Sequence, residues 1–133
     1  MTRIGAALGV ILLLAGCSGP GPTSLESDNG RIIALASEST DAAEQALLEG
    51  TAGWSVPGCM VVQNGLSYLV VFPKGTTLSD ELVVLPDGTR IKAGDVVGLG
   101  GGFHDVKDPA AEFPDVPEAC FTDEVFFASG EVQ

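Results

Sequence analysis

The sequence predicts a mainly β domain of short strands joined by tight turns, either a small barrel or a sandwich. From residue 47 onward, short runs rich in Val, Leu, Phe and Tyr are separated by Gly and Pro, which is typical of strands and turns. Asn64-Gly65 and Asp87-Gly88 each stand between two such runs. Both residues of these dipeptides tolerate the positive φ of a two-residue hairpin turn, so each pair indicates a hairpin.

Residues 1–16 have the layout of a secretory signal. Arg3 precedes an uninterrupted apolar run over residues 4–14. This run is too short to span a bilayer, because a membrane helix needs about 20 apolar residues. The glycines and prolines of residues 18–22 would also break a helix. We therefore expect a targeting segment.

Leu14-Ala15-Gly16-Cys17 resembles the lipobox of bacterial lipoproteins. The resemblance implies that the Cys17 thiol receives a diacylglyceryl group, that a signal peptidase cleaves after Gly16, and that the new amino group is open to acylation. Because stable anchoring takes about two acyl chains, such a Cys17 would hold the protein at the membrane. The alternatives are an ordinary secretory signal with an incidental cysteine and a buried core segment. We expect a lipid anchor on the extracytoplasmic face of the cell membrane, or at the outer membrane in a cell that has one.

Cleavage after residue 16 would leave 117 of the 133 residues, enough for one compact domain. The mature chain would then contain five basic and 18 acidic residues. This charge repels nucleic acid and anionic headgroups, so we expect no nucleic-acid partner. We interpret the acidic residues as a solvated surface in preference to a cation-binding site.

Lipidation of Cys17 would leave Cys59 and Cys120 as a pair. Outside the cytosol an even pair favours a disulfide. Closing a loop of about 60 residues would disfavour the unfolded chain by about 4 kcal/mol. We predict a structural bridge between Cys59 and Cys120, and two separate buried thiols are the alternative.

The remaining elements are predicted in chain order. Residues 17–30 have few apolar side chains and many turn formers, which predicts a flexible tether followed by a barrel domain over 31–133. Residues 31–46 show no clear period, but Asp41-Ala42-Ala43-Glu44 is typical of a helix start, so we expect a short helix near 40–47. Strands are predicted at 47–54, 59–63, 66–72, 81–85, 89–92, 96–99 and 124–128.

A second resemblance concerns the fold. The order Gly58-Cys59-Met60-Val61-Val62, Tyr68-Leu69-Val70-Val71-Phe72 and Gly94-Asp95-Val96-Val97-Gly98 resembles small bacterial lipoproteins with an OB-like barrel, over roughly residues 47–128. It implies a mainly β, OB-like antiparallel barrel with one short helix. Since the likeness involves apolar runs and turn residues only, it implies no activity.

Two patterns are candidates for phosphate, catalytic or metal chemistry: the glycine-rich run and the single histidine. The glycine-rich run 98–102 lacks the Lys-Ser/Thr and helix start of a phosphate loop, so a bulge where a strand bends is favoured. His104 is the single histidine, and the Gly-x-Ser-x-Gly elbow of a hydrolase is missing. We predict no catalytic residue, metal or cofactor. The alternative is a small enzyme or metal-dependent protein that uses His104 and the acidic loop 104–119, which we otherwise interpret as a passive crossover.

Single aromatic residues are the remaining binding candidates. Trp54 or Tyr68 could stack a ligand on a barrel face, although packing in the core is the commoner role of such residues. The adjacent Phe126 and Phe127 point to opposite faces of a strand, so one of them needs a cover, either the helix near residue 44 or a partner. The sequence therefore predicts a lipid-anchored, non-enzymatic binding or envelope-associated module whose protein or small-molecule partner is unknown.

Overall fold

The computed structural model describes residues 22–36 and 45–132, with side chains described up to residue 129 of the last strand. The described ranges contain ten strands, one helix and one 3₁₀ turn. In chain order they are β1 (Ser24–Glu26), β2 (Ile32–Leu35), β3 (Ala46–Trp54), β4 (Met60–Gln63), β5 (Ser67–Phe72), β6 (Thr77–Ser79), β7 (Leu82–Val84), β8 (Arg90–Ile91), β9 (Val96–His104), α1 (Pro109–Glu112), the 3₁₀ turn Glu118–Cys120, and β10 (Val125–Val132).

Five strands close into a barrel in the order β3-β4-β5-β10-β9, with β9 pairing back to β3. The predicted small OB-like barrel is confirmed. Its pairs are antiparallel except β5 and β10, which run parallel with Leu69 opposite Val125. The 105–124 connection brings the chain back to the end of the barrel where β5 begins after the 64–66 turn. Strand β10 therefore runs in the same direction as β5.

The barrel interior is filled by alternate residues of its strands. Leu48, Phe72, Leu99 and Phe126 are almost completely buried in one cluster. Their alternation follows from the two-residue period of a strand, which sends every second side chain inward. Both predicted hairpins form, with Gly65 and Gly88 at positive φ. Their turns have three residues instead of the predicted two, because Gln63 pairs with Ser67 and the Leu85 N–H donates to the Thr89 carbonyl. The barrel core is therefore the part of the fold that the sequence pattern predicts best.

A separate three-stranded sheet closes one end of the barrel. Strands β6, β7 and β8 pair in that order and lie in the chain between the end of β5 and the start of β9. Val83, Leu85 and Ile91 of this region belong to the same buried cluster as the barrel interior. We call this the closed end. The open end is the opposite one, where β5 and β10 begin and β9 finishes.

A second buried cluster lies outside the barrel, where the 105–124 connection crosses the outer face. Phe113 and Val116 of this connection pack with Leu69 and Val71 of β5 and with Val125 of β10. These strand residues alternate with those facing the interior, so both faces of β5 are buried. This explains why the run 69–72 is continuously apolar.

The domain begins earlier than the sequence predicts. Residues 17–30 were predicted as a flexible tether, but β1 lies within them and pairs antiparallel with β2. Thr23 is buried, and its backbone N–H and hydroxyl both donate to an Oδ atom of Asp115. The assignment was wrong for residues 23–30, because hydrogen bonds to distant residues order a segment that has few apolar side chains of its own.

The single helix of the described ranges lies elsewhere than predicted. Residues 37–44 of the predicted helix lie outside the described part of the chain, and Ala46 and Leu47 belong to β3. The observed helix is α1, whose Asp108 side chain accepts from the backbone N–H of Ala111 and caps its start. The alternation of buried and exposed positions along β3 favours a strand over any local helix preference at its start.

The predicted strands occur at the predicted places, with different lengths. Strands β9 and β10 extend to His104 and Val132, well beyond the predicted ends at 99 and 128. Strands β1, β2 and β6, of three or four residues each, were not predicted.

Candidate functional site

A disulfide joins Cys59 and Cys120, as predicted. The two Cα atoms are 5.8 Å apart, and both residues are buried in the outer cluster. Cys59 precedes β4 at the closed end, whereas Cys120 lies in the 105–124 connection. The bridge therefore fastens that connection to the barrel. Cys17, the predicted lipid acceptor, lies outside the described residues.

The connection covers the face that OB-like barrels commonly use for ligands. In that fold the outer face of the second and third barrel strands, together with two flanking loops, binds oligonucleotides and oligosaccharides. Here the second and third barrel strands are β4 and β5, and the outward Val61, Leu69 and Val71 are at most 3 % exposed. Phe113 and Val116 pack in the cluster that covers β5. The protein itself thus occupies this face, and a ligand would have to displace its own core residues.

Gly101 of the glycine run in β9 serves close packing of the sheet, whereas the extra residues of the β9–β10 irregularity lie on β10, between Ala128 and Val132. All of residues 98–102 lie within β9, and the β9–β10 register shifts beyond Ala128. A Cβ atom on Gly101 would lie 2.0 Å from the carbonyl oxygen of Phe127. Glycine is needed there so that two backbones can approach each other, and the run forms no helix N-terminus for a phosphate.

His104 and the acidic loop do not assemble a metal site in the part of the chain that is described. His104 ends β9, and its ring packs edge-on against Phe127 with centroids 4.8 Å apart. Across the described ranges, no three His, Cys, Asp or Glu side chains come together as metal ligands. The loop instead supplies Phe113, whose ring centroid lies 5.9 Å from that of Phe127. Phe126 and Phe127 do face opposite sides, and the loop packs against Phe127; the helix predicted near residue 44 lies mostly outside the described residues.

Trp54 lies at the closed end, where its ring packs against the barrel core and Arg31. It is partly buried against the barrel core, and the Arg31 guanidinium lies 5.2 Å from its ring centroid. Arg31 is held there by Glu81, with Nη2 and Oε2 3.3 Å apart. The Trp54 Nε1 is buried and makes no hydrogen bond with described residues. The cation over the ring occupies the face that a ligand would stack on.

Tyr68 lies at the open end and belongs to a row of aromatic rings. Its ring contacts Phe103 edge-on at 5.4 Å, and Phe103 contacts Phe126 at 4.9 Å. Tyr68 is partly buried and Phe103 is 37 % exposed. Strand β4 lies between the two residues, with Trp54 paired to Met60 and Tyr68 paired to Val62. Their rings have different neighbours, since Trp54 lies under Arg31 and Tyr68 contacts Phe103. They do not form one site.

A shallow depression opens beside Tyr68. It has a volume of about 280 Å³ and is lined by Leu66, Ser67, Tyr68, Thr122, Asp123 and Glu124. The Thr122 hydroxyl accepts from the Leu69 N–H at 2.9 Å and donates to the Glu124 carbonyl, which orders the 122–124 turn. No local pattern in the sequence singles out Leu66 or Phe103. Phe103 follows a glycine run, and its exposure depends on where the barrel ends.

Comparison of the chain with family models, curated proteins and solved structures produces no match. Within residues 22–36 and 45–132, no helix has the length and apolarity required to cross a membrane.

Proposed function

We propose that the protein is a lipid-anchored, extracytoplasmic lipoprotein whose barrel is a non-catalytic binding or envelope-associated module. The proposed anchor is the diacylated Cys17 that follows Leu14-Ala15-Gly16. The membrane is the first partner, through this lipid, and the second is a protein or small molecule bound by the barrel.

The observation that carries the proposal is the pairing of the other two cysteines. The chain has three cysteines, and Cys59 and Cys120 are joined in the folded domain. A disulfide of this kind is typical of proteins that fold in an oxidising compartment outside the cytosol. Cys17 is then left over, at the one position where a lipobox places its acceptor. The disulfide and the lipobox-like stretch favour the same location independently.

The covered face of β4 and β5 supports the proposal that the barrel does not bind nucleic acid. Leu69 and Val71 are buried beneath the 105–124 connection. The formal net charge of −12 adds repulsion toward phosphate backbones. A binding role would therefore use a different surface of the barrel.

The anchor is tested by metabolic labelling with an alkyne fatty acid in a bacterium that processes lipoproteins. The full chain should take up label and sediment with membranes, and Cys17→Ala should lose both properties. The double variant Cys59→Ala/Cys120→Ala is the matched control, because it removes two cysteines and should keep the label. Label on Cys17→Ala, or an unlabelled wild-type protein, would contradict the anchor.

A further inference from the structure

The open end of the barrel carries an exposed apolar surface. Leu66, in the turn before β5, is 67 % exposed, and Phe103, at the end of β9, is 37 % exposed. The Tyr68 ring contacts Phe103 edge-on, and Tyr68 lines the same depression as Leu66. Phe103 and Tyr68 occupy inward-facing strand positions, where the barrel would normally bury them. Phe103 is exposed and Tyr68 only partly buried, since no described element covers this end, unlike the closed end with its three-stranded sheet.

This apolar surface has an acidic rim. Asp123 and Glu124 line the depression beside Tyr68, and both are exposed. None of the six described residues that line it is basic. An occupant that matches both features has an apolar side chain for the depression and Lys or Arg beside it. Exposed aromatic residues with a polar rim are the usual composition of a protein-binding surface.

The aromatic row makes this surface rigid. Phe103 packs edge-on against Phe126, which is completely buried in the barrel core. The 122–124 turn is held through the Thr122 hydroxyl. A partner that binds here loses little entropy in ordering the surface, because the core has already ordered it.

The course of the chain directs this surface away from the proposed anchor. Thr23 starts β1 at the closed end, since its carbonyl accepts from the Leu35 N–H and Leu35 lies opposite Phe72, the last residue of β5. Five residues separate Cys17 from Thr23, so the two Cα atoms can be at most about 20 Å apart. A lipid on Cys17 would therefore hold the closed end near the membrane.

We propose that the open end, formed by Leu66, Tyr68, Phe103, Asp123 and Glu124, is a docking surface for a basic protein segment with an apolar side chain at its tip. The direction in which the surface faces rests on the proposed lipid anchor, whereas the docking surface itself does not. The proposal adds to the binding-module function a location on the barrel and a chemical class of partner.

The test measures binding by fluorescence anisotropy, with fluorescently labelled Lys-Leu-Lys-Phe-Lys as the probe. The control probe is the same peptide with Glu in place of each Lys. The protein is expressed from the full chain and purified from the membrane fraction or the medium. The Lys peptide should bind the wild type, more weakly as salt rises, and the Glu peptide should not. Leu66→Ser and the double variant Asp123→Asn/Glu124→Gln should each weaken binding by about tenfold. Val56→Ser, at a residue 94 % exposed near the closed end, and Asp80→Asn are matched controls and should stay within about twofold of the wild type.

Three results would overturn the docking surface: no binding of the Lys peptide, equal affinity for both peptides, or open-end variants that bind as tightly as the controls. The same titrations are repeated with Cys17→Ala protein, which lacks the proposed lipid acceptor. They test the docking surface separately from the anchor proposal. When the wild-type protein that carries the fatty-acid label is placed in phosphatidylcholine vesicles, its affinity for the Lys peptide should stay within about twofold of its affinity in detergent. Loss of binding on vesicles alone would show that the open end faces the membrane.

Discussion

The Cys59–Cys120 bridge should account for a large share of the stability of this domain. The perturbation is the double variant Cys59→Ala/Cys120→Ala, which removes the bridge and leaves no thiol at either site. Alanine is chosen because both positions are buried, and a serine would bring an extra hydroxyl into the outer cluster.

The expected loss follows from the separation of the two cysteines along the chain, which is 61 residues. In the chain-entropy description, a cross-link over such a loop disfavours the unfolded state by about 4 kcal/mol at 25 °C. Small domains have free energies of unfolding of about 5–15 kcal/mol, so the variant should lose between a quarter and most of its stability. The native fold should persist, because Phe113 and Val116 still pack against β5 and Thr23 still contacts Asp115.

Urea unfolding at 25 °C, followed by circular dichroism, measures this loss as the difference in free energy of unfolding. Cys17→Ala is the matched control and should unfold like the wild type, because it lies outside the bridge. A loss below about 1 kcal/mol would refute the reasoning, since the bridge would then restrict the unfolded chain very little. A changed native spectrum would also refute it, because the bridge would be shaping the native state.

Two further predictions concern β9 and the second hairpin. Gly101→Ala should destabilise the domain by at least about 3 kcal/mol, because its Cβ would lie 2.0 Å from the Phe127 carbonyl oxygen. Gly98→Ala, whose Cβ would lie 3.7 Å from Leu47 Cδ1, should cost under about 1 kcal/mol in the same urea unfolding assay; equal losses would contradict the close approach. The Thr89 N–H donates to Asp87 Oδ1 at 2.9 Å and, with the Thr89 side chain, lowers the pKa of that carboxyl. A carboxyl whose pKa is lowered in the folded state stabilises the fold only above its pKa in the unfolded chain. Asp87→Ala should therefore be less stable than the wild type near pH 7, and the difference in free energy of unfolding should narrow below about pH 4. A difference that does not change with pH would contradict this.

The sequence predicted those elements whose signal is local. The strand that carries Leu69 and Val71 has a continuous apolar run, and the turns at Asn64-Gly65 and Asp87-Gly88 need residues that tolerate positive φ. The same holds for the Cys59–Cys120 pair, because counting cysteines leaves few choices once one of them is assigned elsewhere.

The sequence missed elements that depend on distant partners. The short strand Ser24–Glu26 has no period of its own and is ordered by β2 and by the Thr23–Asp115 hydrogen bonds. The exposure of Phe103 likewise follows from the position at which β9 leaves the barrel, which no local pattern contains.

The sequence by itself thus determined a mainly β domain of short strands and hairpins, a barrel or a sandwich, with a cysteine pair that links its long loop to a strand, because apolar runs, turn residues and cysteine number are properties of short stretches. Only the tertiary structure decided which faces remain available. It placed Phe113 and Val116 over β5, closing the usual ligand face, and it left Leu66, Tyr68 and Phe103 uncovered at the other end of the barrel from the chain entry at Thr23. The physical reason is that burial is a property of pairs of surfaces, and the partner of each surface in this protein comes from a distant part of the chain.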